Sequence, residues 1–244
     1  MNVLDRLWDH VYASQPAPPA WVVGVTALAA LLLVLNTASW RLAGKVITIA
    51  HEGGHALVSV LSGRRLEGIR LHADSSGVTY SRGKRRGPGM VLTAAAGYVT
   101  PPLLGAGAAA LLAARHPAAL LWLALVLLAA TFLAVRNVFG ALAVLVTAAG
   151  VFAVSYYAPA AVQAGFAYLA AWFLLLGGMR PALELTRRRP GSRSGSRSRS
   201  GSRSGLSDAD QLARLTGVSR GVWVTAFVLI ATAALAVGTR LLVP

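Results

Sequence analysis

Five consecutive residues, His51, Glu52, Gly53, Gly54 and His55, carry three ionisable side chains in the HExxH arrangement. On an α-helix four residues advance the chain by about 400°, so His51 and His55 stand ~40° apart and one turn apart in height. Two imidazole nitrogens at that spacing can meet one zinc ion. Glu52 is rotated by about 100° from His51, placed to act as a general base toward water at the ion without ligating it. Two ligands, one base and one open coordination position are the parts of a zinc hydrolase site. Gly53 and Gly54 fill the remaining positions and let a backbone or a substrate come close.

The motif sits in "IAHEGGHALVSV", an almost wholly apolar stretch. Ionisable groups inside a membrane helix cost several kcal/mol on insertion unless they face partners or water. Three of them in five residues therefore point to a metal site, with a proton relay or ion pathway as the alternative. The composition agrees with a membrane setting: 56% of the chain is hydrophobic and only 13% charged. A net charge of +15 would suit nucleic acid, but most Lys and Arg lie in two segments between apolar runs, so no nucleic-acid partner is expected. The chain has no cysteine, which excludes disulfides and zinc-thiolate sites. The N-terminus lacks a basic region followed by an apolar core and a small-residue cleavage site, so no removable signal peptide is expected.

The elements that must position these residues follow from the apolar runs near 21–39, 43–62, 89–114, 118–135, 137–156, 162–179 and 222–242. Each approaches the roughly 20 residues needed to cross a bilayer. The expected fold is an all-α polytopic membrane protein with six to seven transmembrane helices and a small β-hairpin after the HExxH helix. The hairpin occupies 63–87, where "RLEGIRL" and "GVTYS" flank "ADSSG". Gly97, Pro101 and Pro102 interrupt the third run, as membrane helices tolerate. Four segments result: an N-terminal cytoplasmic segment 1–20, a membrane domain 21–179, a basic Gly/Ser/Arg linker 180–206, and a short helix with the last span over 207–244. The linker tract has no apolar side chains to pack, so disorder is expected there.

The segment 63–88 holds seven basic residues and 180–221 holds ten. Four spans separate them, so both fall on one side of the bilayer, and the positive-inside bias makes that side cytoplasmic. The 157–161 turn opposite is uncharged, while Arg115 in the 115–117 turn dissents mildly. Seven spans would place the N-terminus on the cytoplasmic side as well. The membrane is taken to be the plasma membrane.

Zinc hydrolases need a third protein ligand, and few candidates exist. His72 and Asp74 belong to the hairpin turn, His116 to a short turn on the other side, and Glu184 stands among arginines that it can balance. The remaining acidic spot is "SDADQLARLTGVSRGVW", residues 207–223.

The ordered set "HEGGHALVSVLSGRRLEGIRL", "SGVTYSRG", "AAGYVTPPLLGA", "RNVFG" and "SDADQLARLTG…W" resembles the M50B-like membrane metallopeptidases, relatives of the site-2 proteases. The resemblance runs from about 49 to 223. It implies an integral-membrane zinc metallopeptidase with His51 and His55 as ligands and Glu52 as base, acting on a membrane protein or peptide substrate. Site-2 proteases take a third ligand from the Asp of an LDG motif, which is absent here. The "SDA" before the last span brings Asp208 forward instead, with Asp210 or Glu184 next. Against it, Ser207 and Asp210 read as a helix N-cap in which Asp208 would only complement the helix dipole. Asn137 of "RNVFG" is a candidate for orienting a substrate carbonyl, as an Asn does in site-2 proteases; a hydrogen bond at a helix interface is the alternative. The rival function is a non-catalytic membrane protein, a metal-binding regulator or a transporter that uses the same polar cluster.

Overall fold

The computed structural model describes residues 14–187 and 207–243. Most of the expected segment 1–20 and most of the Gly/Ser/Arg linker fall outside the described residues. Among those described are eight helices and one two-stranded sheet. In chain order they are α1 (Ala20–Leu35), α2 (Thr37–Leu61), β1 (Arg65–Leu71), β2 (Gly77–Arg82), α3 (Pro88–Ala113), α4 (Pro117–Ala134), α5 (Val138–Tyr157), α6 (Ala160–Arg187), α7 (Asp208–Thr216) and α8 (Arg220–Leu242). Helix α6 continues to Arg187, past the expected end of the membrane domain at 179.

Five helices, α3, α4, α5, α6 and α8, are long and apolar enough to cross a membrane, and α1 with α2 makes a sixth span bent by 102°. The expected run 21–39 is therefore cut, and the cause is Asn36. Its side chain accepts hydrogen bonds from the Ala38 and Ser39 N–H groups at 2.9 and 3.1 Å, which starts a new helix. The Arg180 guanidinium bonds the Val34 carbonyl that α1 leaves unpaired, and lies 4.5 Å from the centre of the Trp40 ring. At 16 residues α1 is ~24 Å long, short of a full crossing, so the described residues hold five candidate spans, or six where the bent pair counts as one.

Helix α3 is the centre of the bundle and packs on α2, α6 and α8. The contacts are close because small residues face large ones. A Cβ on Gly54 would lie 2.6 Å from the Thr100 Cβ, one on Gly178 2.8 Å from the Pro102 Cδ, and one on Gly105 2.8 Å from the Leu175 Cγ. Small residues at helix interfaces are the usual means of close approach in a membrane, where apolar burial alone gives little drive. Pro101 and Pro102 sit buried inside α3, which runs through them without a break. Outward-facing apolar side chains such as Leu123, Leu133, Val146 and Leu229 are exposed, the pattern of a lipid-facing surface.

The hairpin is antiparallel, with Leu71 opposite Gly77 and Ile69 opposite Thr79, and a bulge at Glu67 between the Leu66 and Gly68 pairs. It is fastened along its length. The Lys45 ammonium donates to the Ala73 carbonyl at 3.0 Å and the Thr48 hydroxyl to the Ser75 carbonyl at 3.0 Å, tying the turn to α2. On the outer side of β1, the Arg136 N–H donates to the Ile69 carbonyl at 2.9 Å. The Asn137 amide donates to the Leu71 carbonyl at 2.7 Å and accepts from the Leu71 N–H at 3.1 Å.

These contacts lay the hairpin along α2, at the end of the bundle that holds the α4–α5 connection. The described start of the chain lies at the other end, where the Gln15 N–H donates to the Arg115 carbonyl at 2.9 Å. If the bent pair is one span, Gln15 and the hairpin fall on opposite sides of the bilayer. Single cysteines at Gln15 and Ser76 test this in a chain that has none of its own. An impermeant thiol reagent applied to intact cells is expected to label one and spare the other until permeabilisation; labelling of both from one side would contradict the six-span order.

Candidate metal centre

His51 and His55 project from α2 toward Gly97 of α3. A Cβ added to Gly97 would lie 2.4 Å from the His55 Nε2 and 2.5 Å from the His51 Nε2, so only glycine leaves the space in front of both nitrogens clear. Gly97 is nine residues into α3, ~13 Å along its axis, so the centre lies inside the bundle near the hairpin end. The His55 Nδ1 meets the Thr93 carbonyl at 2.6 Å. That bond requires the proton on Nδ1 and turns the Nε2 lone pair toward His51, the outer-shell arrangement that orients metal-binding histidines. The His51 ring is held edge-on by Tyr98, 4.8 Å away, and Tyr98 stacks on Phe227 of α8 at 5.0 Å.

Asp208 arrives from a segment 153 residues away in sequence from His55. Its path back to the bundle has three local causes. Ser207 and Asp210 form a capping box that starts α7, with the Ser207 N–H donating to the Asp210 Oδ2 at 3.1 Å. Ala209 and Leu212 are buried among Ala94, Leu185 and Phe227. Gly217 closes the helix at φ 75°, a left-handed conformation that favours glycine. Arg220 then pairs with the Asp210 Oδ1 at 3.2 Å and donates to the Leu185 carbonyl at 2.8 Å, fixing α7 against the end of α6. The cap and the approach to the histidines coexist: the cap sets the helix start, and Asp208 at the first helical position points to the imidazoles.

The Asp208 Oδ2 lies 3.1 Å from both His51 Nε2 and His55 Nε2, and the two nitrogens are 3.2 Å apart. Ligands around a tetrahedral zinc with bonds of ~2.0–2.1 Å are separated by ~3.3 Å, so this triangle fits such an ion. Burial disfavours a charge on Asp208, yet the adjacent imidazoles outweigh it and hold the carboxyl well below the usual carboxylate range. Three lone-pair donors of N, N and O type converge, and no fourth protein ligand joins them among the described residues.

The other candidates lie elsewhere. Asp74 accepts from the Ser76 hydroxyl at 2.6 Å within the hairpin turn, which lowers its pKa, and His72 is its neighbour there. His116 precedes α4 at the far end of the bundle. Glu184 pairs with Arg180 at 3.2 Å, and Asp210 is taken by the cap and by Arg220. Asn137 is engaged with Leu71, as described above.

Glu52 is 4% exposed and lies under β2. The Thr79 hydroxyl meets its Oε2 at 2.7 Å and its backbone carbonyl at 3.1 Å. Gly77 covers the carboxyl so closely that a Cβ there would be 2.6 Å from Oε1. Sequence reasoning did not find Thr79, Gly77, Thr93 or Tyr98, and took Gly97 only as an interruption of a helix.

The fold and the site together define a polytopic helical membrane protein with a prospective metal centre on its HExxH helix. The chain belongs to the Peptidase M50B-like family, whose model matches residues 24–238, and so has site-2 protease-type relatives. Searches among curated proteins and solved structures give no match to it.

Two substitutions test the centre. Asp208→Ala is expected to weaken zinc binding as much as His55→Ala does, beyond the roughly 10–100-fold that follows loss of an outer-shell partner, with the protein still monodisperse. Gly97→Ala is expected to lower zinc occupancy although it removes no ligand, by placing a methyl group where the two nitrogens converge. Metal analysis of the purified variants reads both; full occupancy in Asp208→Ala would remove Asp208 from the ligand set.

Proposed function

We propose that this chain is a membrane-embedded zinc metallopeptidase that hydrolyses peptide bonds within or at the edge of the membrane. The observation that carries the reading is the convergence of His51, His55 and Asp208 beside the buried Glu52. The three residues would hold zinc through two imidazole nitrogens and one carboxylate oxygen, the donor set of a site with one position left for chemistry. When bound, the ion would supply Lewis-acid polarisation of the scissile carbonyl. Glu52 takes the proton of the attacking water and returns it to the leaving amine. Family membership supports the peptidase reading over transport or metal sensing.

The hairpin supports an extended substrate. The Ile69 carbonyl and both Leu71 backbone groups face away from β2, toward Arg136 and Asn137. In an antiparallel ladder, residues opposite each other point their backbone groups the same way relative to the pair, inward together or outward together. The partners Thr79 and Gly77 therefore turn their N–H and C=O groups away from β1, to the outer edge of β2. Among the described residues no strand lies beside that edge. A substrate segment unwound into a strand can add there by backbone hydrogen bonds and pass directly over Glu52. Asn137 serves substrate binding from a distance, by closing the β1 edge so that β2 is the side left open.

The hairpin end faces the cytoplasm on this reading. Arg64, Arg65, Arg70, Arg82, Lys84, Arg85 and Arg86 lie there with Arg136, Arg187 and Arg214, against Arg115 and Arg240 toward the other end.

Glu52→Gln keeps the shape of the side chain but cannot take a proton. It is expected to retain zinc and to lower cleavage of a single-span reporter by about 10²–10⁴-fold, the usual share of a general base. Reporter cleavage at the wild-type rate by this variant, with zinc bound, would end the peptidase reading.

A further inference from the structure

Strand β2 has two faces of business with the same two residues. Gly77 and Thr79 are two positions apart, so their side-chain positions share one face, and that face lies on Glu52. The backbone groups of the same residues form the open outer edge. A segment that pairs with the edge thus bonds directly to the residues that touch the carboxylate.

We infer that Thr79 is the positioning residue of Glu52, and that an extended segment bound along β2 is sensed by the base through it; this rests on the peptidase reading of the site. The Thr79 hydroxyl carries one proton and meets two acceptors of one residue, the Glu52 Oε2 at 2.7 Å and its own backbone carbonyl at 3.1 Å. A donor shared in this way fixes the carboxylate relative to the helix backbone that also bears His51 and His55. Beside Thr79 on the same face, Gly77 brings its backbone close over the side chain: a Cβ there would stand 2.5 Å from the Glu52 Cγ. A buried carboxylate that loses its donor must find another, and a turn of the side chain toward one would carry it away from its place beside the histidines. Strand addition fixes the backbone of Thr79 in the ladder and so fixes the donor. Threonine suits the position doubly, because a β-branched side chain in a strand has few rotamers and its hydroxyl direction follows the backbone.

The test uses the full-length, zinc-loaded protein and a peptidyl hydroxamate, whose acidic O–H gives its proton to a base beside the ion. Its affinity is measured by calorimetry for the wild type, Thr79→Val, Thr79→Ser, Glu52→Ala and the Thr79→Val/Glu52→Ala pair. Thr79→Val is expected to weaken binding roughly tenfold or more, as loss of a hydrogen bond to a charged group does, with zinc stoichiometry unchanged. Thr79→Ser, which keeps the hydroxyl without the β-branch, is expected to recover most of the wild-type affinity. In the Glu52→Ala background Thr79→Val is expected to add nothing, because the hydroxyl acts through the carboxylate. With a fluorogenic single-span peptide that the wild type cleaves, Thr79→Val should lower kcat by a similar factor at unchanged KM. Wild-type affinity in Thr79→Val, an additive loss in the double variant, or a Ser variant as weak as the Val variant would each overturn the inference. Absence of cleavage by the wild type alongside an intact coupling in the hydroxamate cycle would instead defeat the peptidase reading and leave the Thr79–Glu52 link standing.

Discussion

Two imidazole nitrogens and a carboxylate oxygen, held within 3.2 Å of one another among apolar helices, repel unless a cation or a proton lies between them. The Thr93 carbonyl takes the Nδ1 proton of His55, which leaves Nε2 as the ring atom that faces His51 and Asp208. A divalent ion satisfies all three donors at once. Much of the surrounding structure then has a purpose: Gly97 keeps the space clear, Tyr98 and Phe227 hold the His51 ring, and α7 folds back so that Asp208 can reach the histidines.

The hairpin answers a second constraint. A strand in a membrane protein must satisfy its backbone groups within the protein or along a water-lined cavity. Here β1 is closed on its outer side by the Arg136 N–H and the Asn137 amide, and its inner side is closed by β2. Among the described residues no strand lies beside the outer edge of β2, and Gly77 and Thr79 on that strand rest on Glu52. On the proposed peptidase reading, that edge would bring an unwound segment to a fixed point over the carboxylate.

The sequence carried some of this plainly and some not at all. The HExxH spacing is a local helical property, so His51, Glu52 and His55 could be read directly, as could the hairpin from "RLEGIRL" and "GVTYS". The break at Asn36 was present as an isolated Asn between apolar runs, but hydropathy passes over one polar residue, and the capping bonds appear only in three dimensions. Local rules gave Ser207 and Asp210 as a cap and had no way to tell where the neighbouring Asp208 points; the family resemblance supplied that. Gly97 and Gly77 act by lacking a side chain, and Thr93 acts through its backbone carbonyl. Such roles leave no signature in composition or periodicity, because a tertiary neighbour defines them. The bend between the first two helices has the same origin: counting apolar runs gave two separate runs where the structure has one bent pair.

The most direct measurement of the central claim is X-ray absorption at the zinc edge on the purified protein loaded with one equivalent of zinc. The account predicts a four-coordinate ion with two imidazole nitrogens and low-Z oxygen ligands at ~2.0–2.1 Å, and the two-imidazole signature reduced in His51→Ala. A spectrum of six oxygen ligands without imidazole scattering, or a signature indifferent to His51→Ala, would contradict it.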